Sequence, residues 1–196
     1  MRSVLHVGCG PKNLKNVEMF FQDGSWSEIR FDIDPSVKPD VIGTLTDLSA
    51  VRSGSVSAVI SSHNIEHLYW HEVPKALAEF RRVLSQNGFL WLRCPNLQGV
   101  AKLVAEDKLL STAYVSGLGP ITPLDIIYGH RASISDGNHF MAHKCGFTQT
   151  TLAQCLCAAG FEGWALKATK FELFALATAF PASETERAEL FKKITR

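Results

Sequence analysis

The chain has 196 residues, of which 46% are hydrophobic, and a formal net charge of +1. This length and composition are typical of one domain with a sizeable core. Basic residues are interspersed with acidic ones, which disfavours a nucleic-acid partner and favours a small-molecule substrate. The first apolar run begins almost at the N-terminus and no apolar stretch could span a bilayer, so we expect neither a signal peptide nor membrane association.

The cysteine content indicates a compartment. The five cysteines are an odd number and contain no C-x-x-C pair. Unpaired thiols of this kind are typical of a reducing environment, so we expect a cytoplasmic protein. The sequence does not predict an oligomeric state.

Short apolar runs recur along the first half of the chain and predict parallel strands buried on both faces. They cover residues 3–7, 28–33, 40–43, 56–61 and 89–94. A short helical pattern lies around 14–21, and a strongly periodic one over 73–84 ends before Asn87-Gly88. This alternation of strands and helices predicts a doubly wound α/β fold.

The second half has a different pattern. Residues 97–110 predict a helix, whereas 111–147 contain seven glycines and prolines and show no sustained period. We therefore expect 97–147 to be an insertion that covers the substrate, within one domain over 1–196. The remaining pattern predicts a helix over 148–160, an antiparallel hairpin of 161–169 and 171–179, and a final helix begun by Ser183 and Glu186.

Gly8-Cys9-Gly10 directly follows the first predicted strand, and Asp32 lies 22 residues beyond Gly10 at the end of the second. Glycines allow a ligand to approach the backbone, and a carboxylate at the next strand end can accept both hydroxyl protons of a ribose. Asn13 replaces the third glycine of G-x-G-x-x-G, which disfavours a dinucleotide. The alternative is a tight turn that binds no ligand.

Further motifs follow in a fixed order up to about residue 95. They are Val-Leu-His-Val-Gly-Cys-Gly (4–10), Asp32, Thr46-Asp47-Leu48, Ile-Ser-Ser-His-Asn-Ile-Glu-His-Leu (60–68), and Phe80-Arg81-Arg82-Val83-Leu84 with Asn87-Gly88-Phe89. Together they resemble the class I S-adenosylmethionine-dependent methyltransferases, above all small bacterial members with an "EHL" segment after strand four. The resemblance implies a Rossmann-like, mostly parallel seven-stranded sheet of order 3-2-1-4-5-7-6 with a C-terminal antiparallel hairpin.

The resemblance also implies S-adenosylmethionine as cofactor and assigns its contacts. The implied residues are Gly8, Cys9 and Gly10 at the amino-acid portion, Asp32 and Ile33 at the ribose, Asp47 and Leu48 at the adenine, and Ser62 and His63 at the methionine end. Asp34 is an alternative ribose ligand, although side-chain alternation favours Asp32. Asp47 is equally explained as a cap on a helix over 48–52.

The irregular segment supplies the candidate catalytic residues. Methyl transfer from a sulfonium needs alignment and a dry site, and a hydroxyl or amine acceptor also needs a base. Three of the seven histidines lie within 111–147, and a histidine near its ordinary pKa suits proton removal at neutral pH. We predict His130, His139 and His143 as candidate bases, with Tyr128 orienting a substrate hydroxyl.

A metal site is not predicted. His63-Asn-Ile-Glu66-His67 matches the H-x-x-E-H pattern of some zinc proteases, but that pattern requires a long helix. Here an apolar run leads into His63 as a strand, so His63 should lie in a turn that Glu66 and His67 organise. A metal pair of His139 and His143 ranks below the base role, because a third ligand is not obvious.

The sequence therefore predicts S-adenosylmethionine-dependent methyl transfer to a small-molecule acceptor, through oxygen or nitrogen. A non-catalytic Rossmann-like binding or scaffold domain is the first alternative. It is motivated by the missing third glycine and by His6 and Ser57, which stand where the family usually has acids. A nicotinamide-dependent oxidoreductase is the less favoured alternative.

Overall fold

The computed structural model describes residues 1–195 and contains nine strands within them. These are β1 (Arg2–Val7), β2 (Trp26–Asp32), β3 (Val41–Ile42), β4 (Val56–Ser62), β5 (Leu84–Pro95), β6 (Tyr114–Ser116), β7 (Gly119–Ile121), β8 (Gly163–Ala168) and β9 (Glu172–Thr178). Seven of them form one sheet of order β3-β2-β1-β4-β5-β9-β8, and β6 pairs with β7 in a separate hairpin.

The sheet has the predicted topology. Strands β1 to β5 pair in parallel, whereas β9 runs antiparallel to both β5 and β8. Numbered within the sheet, this is the order 3-2-1-4-5-7-6 with a C-terminal hairpin, so the predicted Rossmann-like α/β fold is confirmed. Strand β5 begins at Leu84 rather than 89, and its register against β4 shifts between Val56 and Ala58.

Six α-helices accompany the strands in the described part of the chain. They are α1 (Val73–Val83), α2 (Leu97–Ala105), α3 (Pro123–Tyr128), α4 (Arg131–Ser135), α5 (Gln149–Ala158) and α6 (Glu184–Ile194). The predicted helix starts are confirmed for the last two, because Thr148 and Ser183 cap them with their hydroxyl oxygens. Helix α2 ends before the predicted residue 110, and Asp107 adopts a left-handed conformation just beyond it.

One face of the sheet lacks the expected first helix. The pattern around 14–21 forms two 3₁₀ turns, Leu14–Asn16 and Met19–Phe21. Aromatic rings instead cover this face, with Phe21 and Trp26 packed 5.2 Å apart between ring centres. Together with Ile194 of α6 they bury Val4, Ala58, Ile60 and Trp91.

The opposite face packs on α1 and α5. Leu5 and Val7 of β1 point to this side, so the alternation along β1 places apolar side chains on both faces of the sheet. Leu77 and Phe80 of α1 and Leu152 of α5 are fully buried against them. Burial of each such side chain stabilises the folded state by about 2–3 kcal/mol. This packing fixes the positions of the strand ends.

Residues 111–147 contain more regular structure than the sequence predicts. The β6–β7 hairpin, α3, α4 and a 3₁₀ turn over His139–Met141 all lie in this segment. A helical or strand period of apolar residues is recognised over windows of about 11–18 residues. Each of these elements is shorter, so the sequence of this segment shows no sustained period. Among residues 1–195, no helix is both long and apolar enough to cross a membrane.

Candidate functional site

The candidate site lies where the carboxyl ends of β1, β2 and β4 meet. The chain leaves β1 toward β2 on one side, while β4 pairs with β1 on the other. This reversal of strand order opens a crevice beyond the strand ends, which is where open α/β sheets bind ligands. The segments that follow these strands are 8–10, 32–34 and 63–67.

The glycine turn after β1 has left-handed backbone at both glycines, with φ of 56° at Gly8 and 54° at Gly10. The guanidinium of Arg30 fixes the turn by donating to the carbonyl oxygen of Gly10 at 2.6 Å and to that of Lys12 at 3.1 Å. A Cβ at Gly10 would meet nothing within 4 Å, so the space above that backbone is open.

Gly8 has a different environment. A Cβ there would overlap the side-chain amide of Asn64, which lies across the turn. The same amide donates from Nδ2 to the carbonyl oxygen of Val7 at 2.8 Å. The absence of a side chain at residue 8 therefore makes room for Asn64, and the open approach for a ligand is over Gly10.

Asp32 closes the turn from β2. Its side chain accepts the Gly10 amide at 2.7 Å through Oδ2 and the Asp34 amide at 2.9 Å through Oδ1, and the residue is 8% exposed. Each carboxylate oxygen can accept a second hydrogen bond, so two acceptor positions remain for a ribose. The Asp34 carboxylate is engaged locally by the Ser36 amide at 2.8 Å. Ile33, between them, is exposed.

The predicted adenine residues have partners within the chain. The Leu48 amide donates to Oε2 of Glu79 at 2.8 Å, so an adenine would compete with this carboxylate. The exposed Asp47 accepts the Ser49 amide at 3.0 Å, and residues 48–52 do not form the helix that it would cap. A groove of about 430 Å³ runs beside Asp47 and is lined by Lys75 and Glu79.

His63 follows Ser62 at the end of β4 and has a left-handed backbone with φ of 56°. Its Nε2 lies 3.2 Å from Glu172 and its Nδ1 lies 3.4 Å from Oε1 of Glu66. Burial alone would lower the pKa of this imidazole, but the two carboxylates outweigh it and raise the pKa to about 9. The two carboxylates thus favour the protonated form of His63.

Arg93 of β5 extends this ionic network. It contacts Glu172 at 2.8 Å and Glu18 at 3.3 Å. The hydrogen bond with His63, with Arg93 nearby, lowers the pKa of Glu172 to about 2. The sequence analysis did not identify Glu18, Arg93 or Glu172, because their contact depends on the antiparallel pairing of β5 with β9.

A second cluster lies beyond β4 and brings the segment after this strand together with residues 126–143. Glu66 is 1% exposed, and within residues 1–195 neither of its carboxylate oxygens has a hydrogen-bond partner. One ligand-type atom each from Glu66, His67 and His143 lies within 4.8 Å of the others. The imidazole rings of His67 and His143 meet edge to face at 4.8 Å between centres.

Each histidine of this cluster is oriented by a backbone carbonyl. Nδ1 of His67 lies 3.1 Å from the oxygen of Ala142, and Nδ1 of His143 lies 2.9 Å from that of Ile126. A carbonyl only accepts, so each Nδ1 carries a proton, and in the neutral ring Nε2 is then the nitrogen with the lone pair. Burial lowers the pKa of His143, which favours this neutral form.

The predicted catalytic residues have different surroundings. His130 caps α4, with Nδ1 2.8 Å from the Ser133 hydroxyl. His139 begins a 3₁₀ turn and is exposed, as is Tyr128 at the end of α3. Of the three histidines, His143 is the one that contacts the segment after β4. The catalytic roles of all four remain predictions.

The H-x-x-E-H segment is arranged as its sequence context predicts. His63 lies in the turn after β4, and only a three-residue 3₁₀ turn, Ile65–His67, follows. Glu66 organises this turn, since its backbone oxygen accepts the amides of Lys144 and Cys145 at 2.8 and 3.2 Å. The proximity of His143 was not predicted, because it requires the path of the chain through 111–147.

Residues 5–92, slightly less than half of the chain, match the family model described as a methyltransferase domain. The strand ends described above, from the glycine turn to the segment after β4, all fall within this match. No curated protein matches the sequence at a significant level.

Solved structures extend the similarity to the whole fold. An S-adenosylmethionine-dependent methyltransferase from Methanosarcina mazei is 14% identical with a TM-score of 0.60, covering 90% of this chain and 92% of that chain. One from Archaeoglobus fulgidus is 13% identical with a TM-score of 0.59, covering 90% and 86%. The 1,6-didemethyltoxoflavin-N1-methyltransferase of Burkholderia thailandensis, with its substrate and S-adenosylhomocysteine bound, is 14% identical with a TM-score of 0.55, covering 90% and 70%. At these identities the similarity is one of fold.

The cofactor of this class, S-adenosylmethionine, fits part of the crevice directly. The open space over Gly10 and the two remaining acceptor positions of Asp32 match a ribose and its amino-acid extension. At the adenine end, the Leu48 amide would have to give up its hydrogen bond to Glu79 in order to donate to the adenine. The residues present thus fit the ribose end of S-adenosylmethionine, whereas the adenine end requires this change of partner.

Proposed function

We propose that this methyltransferase acts on a small-molecule acceptor and methylates an oxygen or a nitrogen atom. The observation that carries the proposal is the arrangement at Asp32, a buried carboxylate that holds the glycine turn and still has acceptor positions free. The interspersed charges and net charge of +1 favour a small molecule over a nucleic acid. Five free thiols support a cytoplasmic location.

The chain would bind the cofactor across the ends of β1, β2 and β4. The proposed contacts after β1 and β2 are Gly8, Cys9, Gly10, Asp32 and Ile33. Those after β4 are Ser62 and His63. Asp47 and Leu48 are the proposed contacts of the adenine. When bound, S-adenosylmethionine supplies a methyl group on a sulfonium with a good leaving group. The task of these residues is to align that group and keep water away.

The cover segment 97–147 would supply the acceptor side. Its C-terminal end is hydrogen-bonded to the segment after β4, because the amides of Lys144 and Cys145 donate to the carbonyl oxygen of Glu66. The contact of His143 with His67, at 4.8 Å between ring centres, supports a position of this segment near the crevice. Within it, His130, His139 and His143 are the proposed proton acceptors, and Tyr128 is proposed to orient the acceptor.

Transfer of isotope label tests this function. The purified protein is incubated with methyl-labelled S-adenosylmethionine and a cell extract separated into small-molecule, protein and nucleic-acid fractions. Label in the small-molecule fraction supports the proposal, and the chemical shift of the labelled methyl carbon distinguishes oxygen from nitrogen. Label in the protein or nucleic-acid fraction contradicts it. Binding of S-adenosylhomocysteine without any label transfer would instead support the non-catalytic alternative.

A further inference from the structure

The buried carboxylate of Glu66 needs a compensating charge. Both of its oxygens lack a hydrogen-bond donor in the described chain, and the residue is 1% exposed. Burying a carboxylate without a good partner costs several kcal/mol. His63 lies 3.4 Å from Oε1 alone, so a positively charged group beside Oε2 would stabilise the folded chain.

Nearby cations only partly neutralise the acidic groups. His63 lies 3.4 Å from Oε1 of Glu66, but its other ring nitrogen is taken by Glu172 at 3.2 Å. Arg93 is shared between Glu172 and Glu18. Both basic side chains are thus shared with Glu172, and Oε2 of Glu66 has no hydrogen-bond partner among the described residues.

The two histidines next to Glu66 are oriented as metal ligands commonly are. Nδ1 of His67 and of His143 donates to the carbonyl oxygens of Ala142 and Ile126. A histidine that binds a metal commonly donates its other ring N–H to such a carbonyl, which fixes the tautomer and the ring orientation. This arrangement leaves Nε2 of each ring as the nitrogen that would bind a metal.

We propose that Glu66, His67 and His143 bind a single divalent transition-metal ion of the zinc type. Their ligand atoms lie within 4.8 Å of one another, and bonds of about 2.1 Å would draw each inward by less than about 1 Å. Nitrogen and carboxylate ligands suit zinc, and three protein ligands leave a coordination position open. The ion would place positive charge directly beside the buried carboxylate of Glu66.

The ion would also join two parts of the chain. Glu66 and His67 belong to the segment after β4, whereas His143 belongs to the cover segment. Binding should therefore stabilise the attachment of the cover segment as well as the local charge. With His143 assigned to the ion, His130 and His139 remain as the proposed bases.

Metal content and cobalt spectroscopy test the site on the full chain, purified without an affinity tag and stripped with a chelator. We expect one zinc per chain after reloading, a visible absorption band on titration with Co²⁺, and a rise in melting temperature with either ion. His143→Ala should weaken binding more than about 100-fold, because loss of an outer partner alone costs about 10–100-fold. Glu66→Gln should do the same.

A matched control uses another histidine of the same segment. His139 is exposed and lies outside the cluster, so His139→Ala should bind the metal as the wild type does. If Glu66→Gln does not fold, His143→Ala decides, since the ring of His143 is only half-buried. Absence of stoichiometric zinc and cobalt binding in the wild type overturns the proposal. Equal affinity in His143→Ala and His139→Ala also overturns it.

Discussion

The two sides of the crevice satisfy their polar groups in different ways. On the side of β1 and β2, Asp32 accepts two backbone amides and Arg30 donates to the carbonyl oxygens of the turn. On the side of β4, the carboxylate of Glu66 is more deeply buried, and its one ionic contact among the described residues is His63 at 3.4 Å from Oε1. The chain itself satisfies the carboxylate of the first side, whereas Oε2 of Glu66 on the second side has no hydrogen-bond partner in the described residues.

This difference indicates how each side would respond to a ligand. A turn that the chain itself holds is preorganised, so it should bind the cofactor with little rearrangement. A cluster with an unpaired buried carboxylate oxygen should gain stability when a cation binds, because binding to the folded state alone shifts the folding equilibrium. The following experiments separate these two behaviours.

The largest effect is expected from the proposed bases in the segment 97–147. His130→Ala or His139→Ala should lower turnover by at least about 100-fold, because general base catalysis contributes about 10²–10⁴-fold. The affinity for S-adenosylhomocysteine should stay unchanged in the same variants. Turnover follows from label transfer to the acceptor, and affinity from calorimetry. Full activity of His130→Ala, His139→Ala and His143→Ala alike would remove all three candidates.

On the β1 side, the two glycines should differ in their cost to stability. Gly8→Ala combines left-handed strain with displacement of Asn64 from its bond to Val7, so we expect a loss of about 3 kcal/mol. Gly10→Ala meets open space and should lose only about 1 kcal/mol through strain. Urea unfolding measures both. Equal losses would contradict the described position of Asn64.

Asp32 should govern cofactor affinity. Asp32→Asn removes the charge that the ribose hydroxyls would contact, and we expect about 30-fold weaker binding of S-adenosylhomocysteine, since hydrogen bonds to charged groups contribute about 1.5–3 kcal/mol. Asp34→Asn is the matched control, because its carboxylate binds only the Ser36 amide at the tip of the turn. Calorimetry at one temperature compares them. An equal effect in both variants would refute the ribose role of Asp32.

The smallest effect is expected in the cover segment, at the cap of α3. Asp125 accepts the Thr122 hydroxyl at 2.6 Å and Arg131 Nε at 2.7 Å, and Asp125→Ala should cost about 1 kcal/mol of unfolding free energy. Burial raises the pKa of Asp125, but these hydrogen bonds outweigh it and hold the pKa well below its ordinary value.

This pKa shift gives the cap a pH dependence of known sign. The folded pKa is lowered, so the stabilisation is fully present above the ordinary value near 3.8 and is lost as the pH falls toward the folded value. The difference in unfolding free energy between wild type and Asp125→Ala should therefore shrink below about pH 4. A difference that stays constant from pH 7 to about pH 3 would contradict the ionised cap.

The sequence predicts the sheet better than it predicts the site. The apolar runs are local patterns that were sufficient for the strands and the terminal hairpin, and the resemblance carried by the order of motifs implied the strand order. Asp32 could be placed because it follows a strand directly. The contact of His143 with Glu66 could not be, because it spans 77 residues and depends on several short elements. Likewise, Asn64 lies across Gly8 only because β4 pairs with β1.

Calorimetric titration of the wild-type chain with S-adenosylhomocysteine tests the central claim most directly. The account predicts one site per chain, with backbone amides at Gly10 and Asp34 becoming protected from hydrogen exchange when the ligand binds. Absence of binding up to about millimolar concentration, where the affinity would be worth only about 4 kcal/mol, would contradict a cofactor site at the ends of β1 and β2.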